Sequence, residues 1–346
     1  MAFSFCVDLI DRASRINSVG ISASPLLSFA VAARWWRQGR GNVLLVWFVV
    51  GLLCLFVGGE LLVRGAVAAA RRFGVPPLVI GLTIVGFGTS TPELLVALQA
   101  ALGGAPDIAV GNVVGSNISN VLLILGLTAI AGAVPMAWPN LRNDMAAMLG
   151  ATAVLWLVLL GDSVRRLEGL FLVACLAAYL WATVRRSAPA PTHAAGERPA
   201  LAPALLAMGG GLAGLLFGAD RLVFSATEIA RAFGLSEAVI GLTIVAVGTS
   251  LPELATSLIA AIRGNPAIAV GNVIGSNIFN ILGILGLTAV VRPIPVDPRF
   301  AGIDMAMAMG AALVVVALSF LHDRISRRAG AAFLAAYAAY TVLLAL

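Results

Sequence analysis

Residues 80–130 read IGLTIVGFGTSTPELLVALQAALGGAPDIAVGNVVGSNISNVLLILGLTAI, and residues 240–290 read IGLTIVAVGTSLPELATSLIAAIRGNPAIAVGNVIGSNIFNILGILGLTAV. At a constant offset of 160, 35 of these 51 positions are identical. Self-similarity at one fixed offset is internal duplication, and it governs the architecture before any local reading. Each copy must form the same elements, and both copies must fit into one fold.

Composition decides what those elements are. Over 346 residues the chain is 60% hydrophobic and 11% charged, against about 25% charged in soluble domains. A water-soluble core cannot bury that apolar fraction, because too few polar groups remain to cover it. This excludes a nucleic-acid-binding domain, a disulfide scaffold and a disordered chain. The net charge of +6 does not point to nucleic acid: all 22 basic residues are Arg, mostly between apolar runs, where they act as topology anchors. Cys6, Cys54 and Cys175 are far apart, and His193 and His322 fall in polar stretches. No disulfide framework, metal-binding Cys/His motif or His-dependent enzyme is indicated.

A membrane helix needs about 20 mostly apolar residues. Ten such spans are expected, at 43–70, 76–103, 106–134, 143–161, 166–184, 201–231, 236–262, 266–291, 302–321 and 328–346. The longest break, residues 185–200, is rich in Ala, Pro and Arg and reads as a linker between a first half, 43–184, and a second, 201–346. Residues 1–42 carry Asp8, Asp11, Arg12 and Arg15 where a signal peptide would be basic. They read as an interfacial amphipathic segment or an unstructured extension.

The repeat offset contains five spans. Five is odd, so the second copy crosses the membrane in the opposite sense. The expected fold is an all-α polytopic membrane protein of ten transmembrane helices, built as two inverted five-helix repeats. Such repeats belong to secondary transporters, with the site near the midplane between copies. Counted over the ten spans without the N-terminal extension, ten Arg lie on the side of the central linker and five on the other. That puts the linker in the cytoplasm and both termini outside.

Two motifs in each copy carry chemistry. The first is Gly88-Thr89-Ser90-Thr91-Pro92-Glu93 and Gly248-Thr249-Ser250-Leu251-Pro252-Glu253. Glu93 and Glu253 sit in the middle of apolar runs, where a carboxylate is expensive and functional by default. Pro92 and Pro252 lack an N–H, so the Gly88 and Gly248 carbonyls lose their helical partners and the helix should break. Freed carbonyls in a membrane need a partner, which a cation supplies. Thr89, Ser90, Thr249 and Ser250 lie three or four residues before each Glu, on the same helix face, and offer hydroxyl oxygens. The second motif, Gly111 to Asn120 and Gly271 to Asn280, sets Asn112, Ser116 and Asn120, and again Asn272, Ser276 and Asn280, in an i, i+4, i+8 stripe. For Asn112, Asn117, Asn272 and Asn277, interhelical hydrogen bonding competes with ligation. The inventory is all oxygen, suited to hard cations such as Ca²⁺ rather than to Zn²⁺ or Cu⁺. Two Glu charges balance one Ca²⁺ or two Na⁺. Glu60 and Asp220, and Asp144 and Asp304, also match at the offset; structural or interfacial roles are expected for them, with Glu60 paired to Arg64.

The duplicated, inverted motif pair resembles the α-repeats of the cation/calcium exchanger superfamily, most nearly the ten-helix prokaryotic sodium/calcium exchangers, over residues 43 to 346. The resemblance implies two inverted five-helix halves around a four-helix site. It implies that Glu93 and Glu253 bind Ca²⁺ with oxygens from Thr89 and Thr249, and that Ser90, Ser116, Ser250 and Ser276 contribute to Na⁺ sites. The backbone carbonyls of Gly86 and Ala246 match ligand positions, and Asn120 and Asn280 flank the carboxylates. Some relatives carry Asp where this chain has Asn280, so a third central acid is absent here and the coupling ion is left open. The expected function is Ca²⁺/Na⁺ antiport by alternating access in the plasma (inner) membrane, with Ca²⁺/H⁺ antiport at the same glutamates as the alternative. A Glu-ring channel is a weaker reading, and a Ser hydrolase lacks an intramembrane base. No catalytic residue, cofactor, nucleic acid or obligate protein partner is expected; the partners are inorganic cations and the lipid bilayer.

Overall fold

Helix dominates the computed structural model, which describes residues 40–132, 134–186, 200–233 and 246–345. The interfacial segment expected in 1–42 and the start of the span expected at 236–262 lie outside these residues, except that the first helix already begins at Arg40. The helices are α1 Arg40–Phe73, α2 Pro77–Thr89, α3 Thr91–Gly103, α4 Pro106–Ala131, α5 Trp138–Leu159, α6 Arg166–Arg186, α7 Leu201–Ala232, α8 Leu251–Ile262, α9 Pro266–Val291, α10 Ile303–Leu321 and α11 Arg327–Ala345, with a helical turn at Ala246–Gly248. Among the described residues six helices are long and apolar enough to cross a membrane, and a seventh span results if the bent pair α2 and α3 is counted as one. α5 starts five residues before the expected 143, because Pro139 suits a first helical turn and Arg142 is carried on an exposed face.

The chain divides into two compact units. The smaller holds the described residues up to Leu53 and from Gly218 to Gly248; the larger runs from Cys54 to Phe217 and from Thr249 onward. In the smaller unit α1 packs tightly on α7: a Cβ at Gly51 would stand 2.9 Å from the Gly218 carbonyl oxygen. Arg221 pairs with Asp220 and lies over the Trp47 ring. In the larger unit Gly58 and Gly65 meet Gly211 and Ala204 equally closely. Small residues seven apart thus let α1 and α7 approach backbone to backbone, where lipid gives no hydrophobic drive to association.

The larger unit contains the core, built around Val113, Ile118 and Ile124 of α4, Met145 and Leu155 of α5, and Ile274, Ile281 and Leu285 of α9. Other large side chains face outward, among them Leu157, Leu167, Leu206 and Phe320, each at least 67% exposed. Exposed apolar surface on this scale is that of a protein covered by lipid.

Three local features recur in both copies. The helix breaks at Ser90, with a 42° bend between α2 and α3, and α8 starts after Ser250 in the same backbone conformation. Pro92 and Pro252 then occupy the first turn of α3 and α8, where a missing N–H costs nothing. α3 and α8 end in turns through Gly104 and Gly264, at φ 81° and 74°, a conformation that favours glycine. Inside α4 and α9 the winding loosens to π-helix over Asn120–Ile124 and Phe279–Leu285. Such segments gather at functional sites, and each one here contains the central Asn of its copy.

Two short antiparallel ladders complete the larger unit. β1, Val134–Pro135, pairs with β4, Arg324–Ile325; β2, Ser163–Val164, pairs with β3, Ile294–Pro295. At the repeat offset β1 corresponds to β3, and Val164 to Arg324, so each ladder joins non-equivalent loops of the two copies.

Candidate functional site

The break at Ser90 and the start of α8 bring both carboxylates into one buried cluster inside the larger unit. Glu93 is 1% exposed and Glu253 fully enclosed. The serine of each copy reaches the glutamate of the other. Ser90 Oγ donates to Glu253 Oε1 at 2.9 Å, and Ser250 Oγ lies 3.4 Å from Glu93 Oε1. Thr89, fully buried, sits 3.0 Å from Asn272 Oδ1 and 3.1 Å from the Val85 carbonyl oxygen. The Ser276 hydroxyl approaches the Gly86 carbonyl at 3.4 Å. That carbonyl also accepts the Ser90 N–H at 3.1 Å, so it is engaged within the protein here.

The second motif lines the same cluster. Asn120 Nδ2 donates to Asn277 Oδ1 at 3.0 Å, and Asn280 Nδ2 donates to Ser116 Oγ at 2.9 Å. Thr249 stands half-buried in the turn before α8. Ala246 belongs to the helical turn of the smaller unit. Thus Glu93, Glu253, Thr89, Ser90, Ser250, Ser116, Ser276, Asn120, Asn280 and Gly86 share one interior cluster.

Four oxygens in this cluster have no hydrogen-bond partner: Glu93 Oε2, Glu253 Oε2, Asn120 Oδ1 and Asn280 Oδ1. A buried polar atom without a partner costs about 1–3 kcal/mol, more for a charged group. Here the orphaned atoms are all acceptors, occur at equivalent positions in the two copies, and include both carboxylates. That is the complement of a bare hard cation, which brings positive charge and no hydrogen-bond acceptor. The side chains of the cluster are those of Glu, Ser, Thr and Asn, so every ligand atom they offer a cation is oxygen.

The asparagines one turn away hold the frame. Asn112 Nδ2 donates to the Glu93 carbonyl at 3.0 Å, and Asn272 Nδ2 to the Glu253 carbonyl at 3.2 Å. Asn117 donates to Val113 of its own helix. Two serines complete the network without being singled out by sequence: Ser119, 3.3 Å from Ser250 Oγ, and Ser257, which accepts from Asn272 at 3.0 Å. They align with Phe279 and Ala97, so the repeat comparison passes over them. Only the three-residue spacing of Ser119 from Ser116 marked it as near the stripe.

The matched acids outside the cluster have local partners. Glu60 pairs with Arg64 and with Arg263. Tyr179 donates to Asp144 at 3.1 Å and Tyr340 to Asp304 at 2.7 Å, tying α6 to α5 and α11 to α10.

A mostly helical chain with six long apolar helices among the described residues and broad exposed apolar surface is an integral membrane protein, and its interior holds an enclosed, doubly acidic oxygen cluster. The family described as sodium/calcium exchanger protein matches residues 43–185 and 203–346. The chain is 38% identical to the putative antiporter CaxA of Alkalimonas amylolytica, over 86% of this chain and 98% of that protein. It is 29% identical to the sodium/calcium exchanger MaX1 of Methanosarcina acetivorans, over 86% of this chain and 97% of that one. The structure of the sodium-calcium exchanger NCX_Mj soaked with Na⁺ and Ca²⁺ superposes with a TM-score of 0.76 at 34% identity, covering 85% of this chain and 96% of that one. The chain belongs to the sodium/calcium exchanger family, a family of membrane transporters and not of enzymes.

Proposed function

We propose that this protein is a secondary antiporter that exchanges Ca²⁺ for Na⁺ by alternating access, with the cations held near the membrane midplane. The observation that carries the reading is the set of four orphaned oxygens on Glu93, Glu253, Asn120 and Asn280. In this reading Glu93 and Glu253 supply the charge for Ca²⁺, with oxygens from Thr89 and Thr249. Ser90, Ser250, Ser116 and Ser276 contribute to Na⁺ sites, together with the backbone carbonyls of Gly86 and Ala246. When Ca²⁺ or Na⁺ occupies the cluster, the serine hydroxyls that now bond the carboxylates turn their lone pairs to the ion. No covalent step is involved. The cations are cargo, and the protein changes which side of the membrane the cluster faces.

The architecture is read as two inverted five-helix halves, 43–184 and 201–346, joined by the linker 185–200. The two ladders support inversion. In each half one loop strand follows the third span and the next follows the fourth, so the two lie on opposite membrane faces. β1 pairs with β4 and β2 with β3. A loop after the third span of one half therefore meets a loop after the fourth span of the other, as opposite insertion requires. The Arg excess puts the linker face in the cytoplasm of a cell whose plasma (inner) membrane holds the protein.

The test is ⁴⁵Ca²⁺ uptake into proteoliposomes loaded with Na⁺, against choline-loaded vesicles at matched pH. Uptake that requires internal Na⁺ is expected. Uptake driven equally by a pH gradient alone would replace this reading with Ca²⁺/H⁺ antiport, and flux indifferent to any counter-ion would replace it with a channel.

A further inference from the structure

The last turns of α1 and the turn after α8 line a second polar cavity, built from residues outside the two motifs. Its volume is about 320 Å³, and it is lined by Glu60, Val63, Arg64, Val67, Ala68, Arg71, Arg263 and Asn265. Three guanidinium groups face one carboxylate there, a net charge of +2. Glu60, only 13% exposed, accepts from Nε of Arg64 and, at 2.6 Å, from Nε of Arg263. Each guanidinium has five donor hydrogens in a planar fork. One is spent on Glu60, and the Nη groups of both forks have no acceptor among the described residues. Arg71, exposed at the mouth, has no hydrogen-bond or ion-pair partner among the described residues either. Glu60 thus fixes two forks in place without exhausting them.

What such a cavity takes follows from its walls. Val63, Val67 and Ala68 are apolar, and the same helix presents Leu61 and Phe73 outward at 39% and 54% exposure. A free, fully hydrated anion gains nothing from these walls, whereas an amphiphile with an anionic head uses both parts. Planar forks recognise phosphate oxygens bidentately. Basic pockets between membrane helices on the Arg-rich side are suited to anionic lipid headgroups. The duplication sharpens the argument. Arg64 and Arg263 align with Phe224 and Gly103, and Asn265 with Ala105. Glu60 and Arg71 recur as Asp220 and Arg231, but neither guanidinium that Glu60 holds has a counterpart, so the second copy lacks the paired forks of this pocket.

We propose that this cavity binds the phosphodiester headgroup of an anionic phospholipid, with the acyl chains along the exposed apolar face of α1. The probe is phosphatidylglycerol, offered to the purified full-length protein in mixed micelles with phosphatidylcholine and counted by native mass spectrometry. Selective retention of phosphatidylglycerol is expected, and Arg71→Ala should lower it about fivefold, the effect of one basic residue near an anionic lipid. Arg327→Ala, on the same expected membrane face but outside the cavity, should leave it unchanged. Equal retention of the two lipids by the wild-type protein overturns the proposal, as does equal loss from both Arg variants. Displacement of the lipid by millimolar inorganic phosphate would also overturn it, making the cavity a site for free anions. Because Arg71 is exposed and unbonded, the variant should keep the wild-type melting temperature. Should it not, thermal stabilisation of the wild-type protein by phosphatidylglycerol but not phosphatidylcholine decides alone, and its absence counts against the site.

Discussion

The first copy of the duplicated region and the second are almost the same sequence and do not make the same contacts. Ser90 bonds Glu253 at 2.9 Å, while its counterpart Ser250 stands 3.4 Å from Glu93 and is shared with Ser119. Asn120 donates to an amide, Asn277, whereas Asn280 donates to a hydroxyl, Ser116. Asn272 is fully buried with Thr89, Ser257 and the Glu253 carbonyl around it; Asn112 is half-buried and, among the described residues, bonds by its side chain to the Glu93 carbonyl alone. The lesson is physical. Two inverted copies related by an exact two-fold would be equally open or equally closed to both sides of the membrane, so a state open to one side alone needs departures from the two-fold. A duplicated sequence supplies matched side chains, and the departures from the two-fold show in which glutamate is held by the shorter serine bond.

The largest effect should come from removing either charge. Glu93→Gln or Glu253→Gln takes away half the negative charge of the cluster, and Ca²⁺ uptake should fall by about a hundredfold or more, the scale of an unpaired buried charge. Both variants should still run as folded monodisperse protein on size exclusion. If the two lost activity to very different extents, the glutamates would not be equivalent ligands. Near-normal uptake in either would remove that residue from the site. Next in size are the serines, where the comparison is sharpest. A hydrogen bond to a charged group contributes about 1.5–3 kcal/mol. Each alanine variant removes one hydroxyl oxygen from the ion, but Ser90 must give up the shorter carboxylate bond to supply it, so Ser90→Ala should weaken transport by about threefold and Ser250→Ala, whose longer bond is shared, by about tenfold. Paired measurements of half-maximal Ca²⁺ and Na⁺ would decide it, and equal losses would mean that the asymmetry of the contacts has no bearing on ion binding.

Most of this buried cluster was legible because it is written twice. A lone Glu in an apolar run has a structural explanation, but two in matching Gly-Thr-Ser-x-Pro-Glu frames do not share one easily. The helix break could be read from Pro92 and Pro252, since a missing N–H has one consequence wherever the backbone is helical. Three things were not legible. The π-helical segments around Asn120 and Asn280 depend on how α4 and α9 pack, not on any residue propensity. Ser119 and Ser257 break the repeat, so self-comparison hides them. The contacts of the Gly86 carbonyl with Ser90 and Ser276 follow from no spacing, because a carbonyl's partner is a property of three-dimensional neighbours. Helix ends were read closely where apolar runs are bounded by Arg, as in α6 and α7, and poorly at Trp138, where a Pro-started helix runs through a polar stretch that resembles a loop.

A smaller effect separates the two central asparagines. In Asn280→Asp the new carboxylate meets the Ser116 hydroxyl, which can turn its proton to donate. The variant should fold and transport, with a shifted Na⁺ or pH dependence. In Asn120→Asp the carboxylate meets Asn277 Oδ1, acceptor against acceptor. Rotating the Asn277 amide would leave its oxygen against the Met148 sulfur, which its Nδ2 now approaches at 3.7 Å. Asn120→Asp should thus lose about 1–3 kcal/mol of stability that Asn280→Asp does not. Similar melting temperatures and unchanged ion profiles for the two would erase the distinction.

The smallest effect on ion binding, and the cleanest on architecture, lies in α7. A Cβ at Gly211 would stand 2.4 Å from the Leu62 nitrogen and 2.6 Å from the Gly58 carbonyl oxygen, whereas one at Gly210 would meet nothing within 4 Å. Backbone cannot give way as a side-chain tip can, so Gly211→Ala must push α7 off α1 and should cost about 1–3 kcal/mol. Gly210→Ala adds the same methyl one residue away and should be neutral or stabilise by up to about 1 kcal/mol through helix propensity. Melting temperatures of the two variants in one detergent make the measurement. Equal values would mean that α1 and α7 are not held at backbone contact. Unequal values together with unchanged half-maximal Ca²⁺ would show that this contact carries the scaffold, while the ions are bound by side chains that do not depend on it.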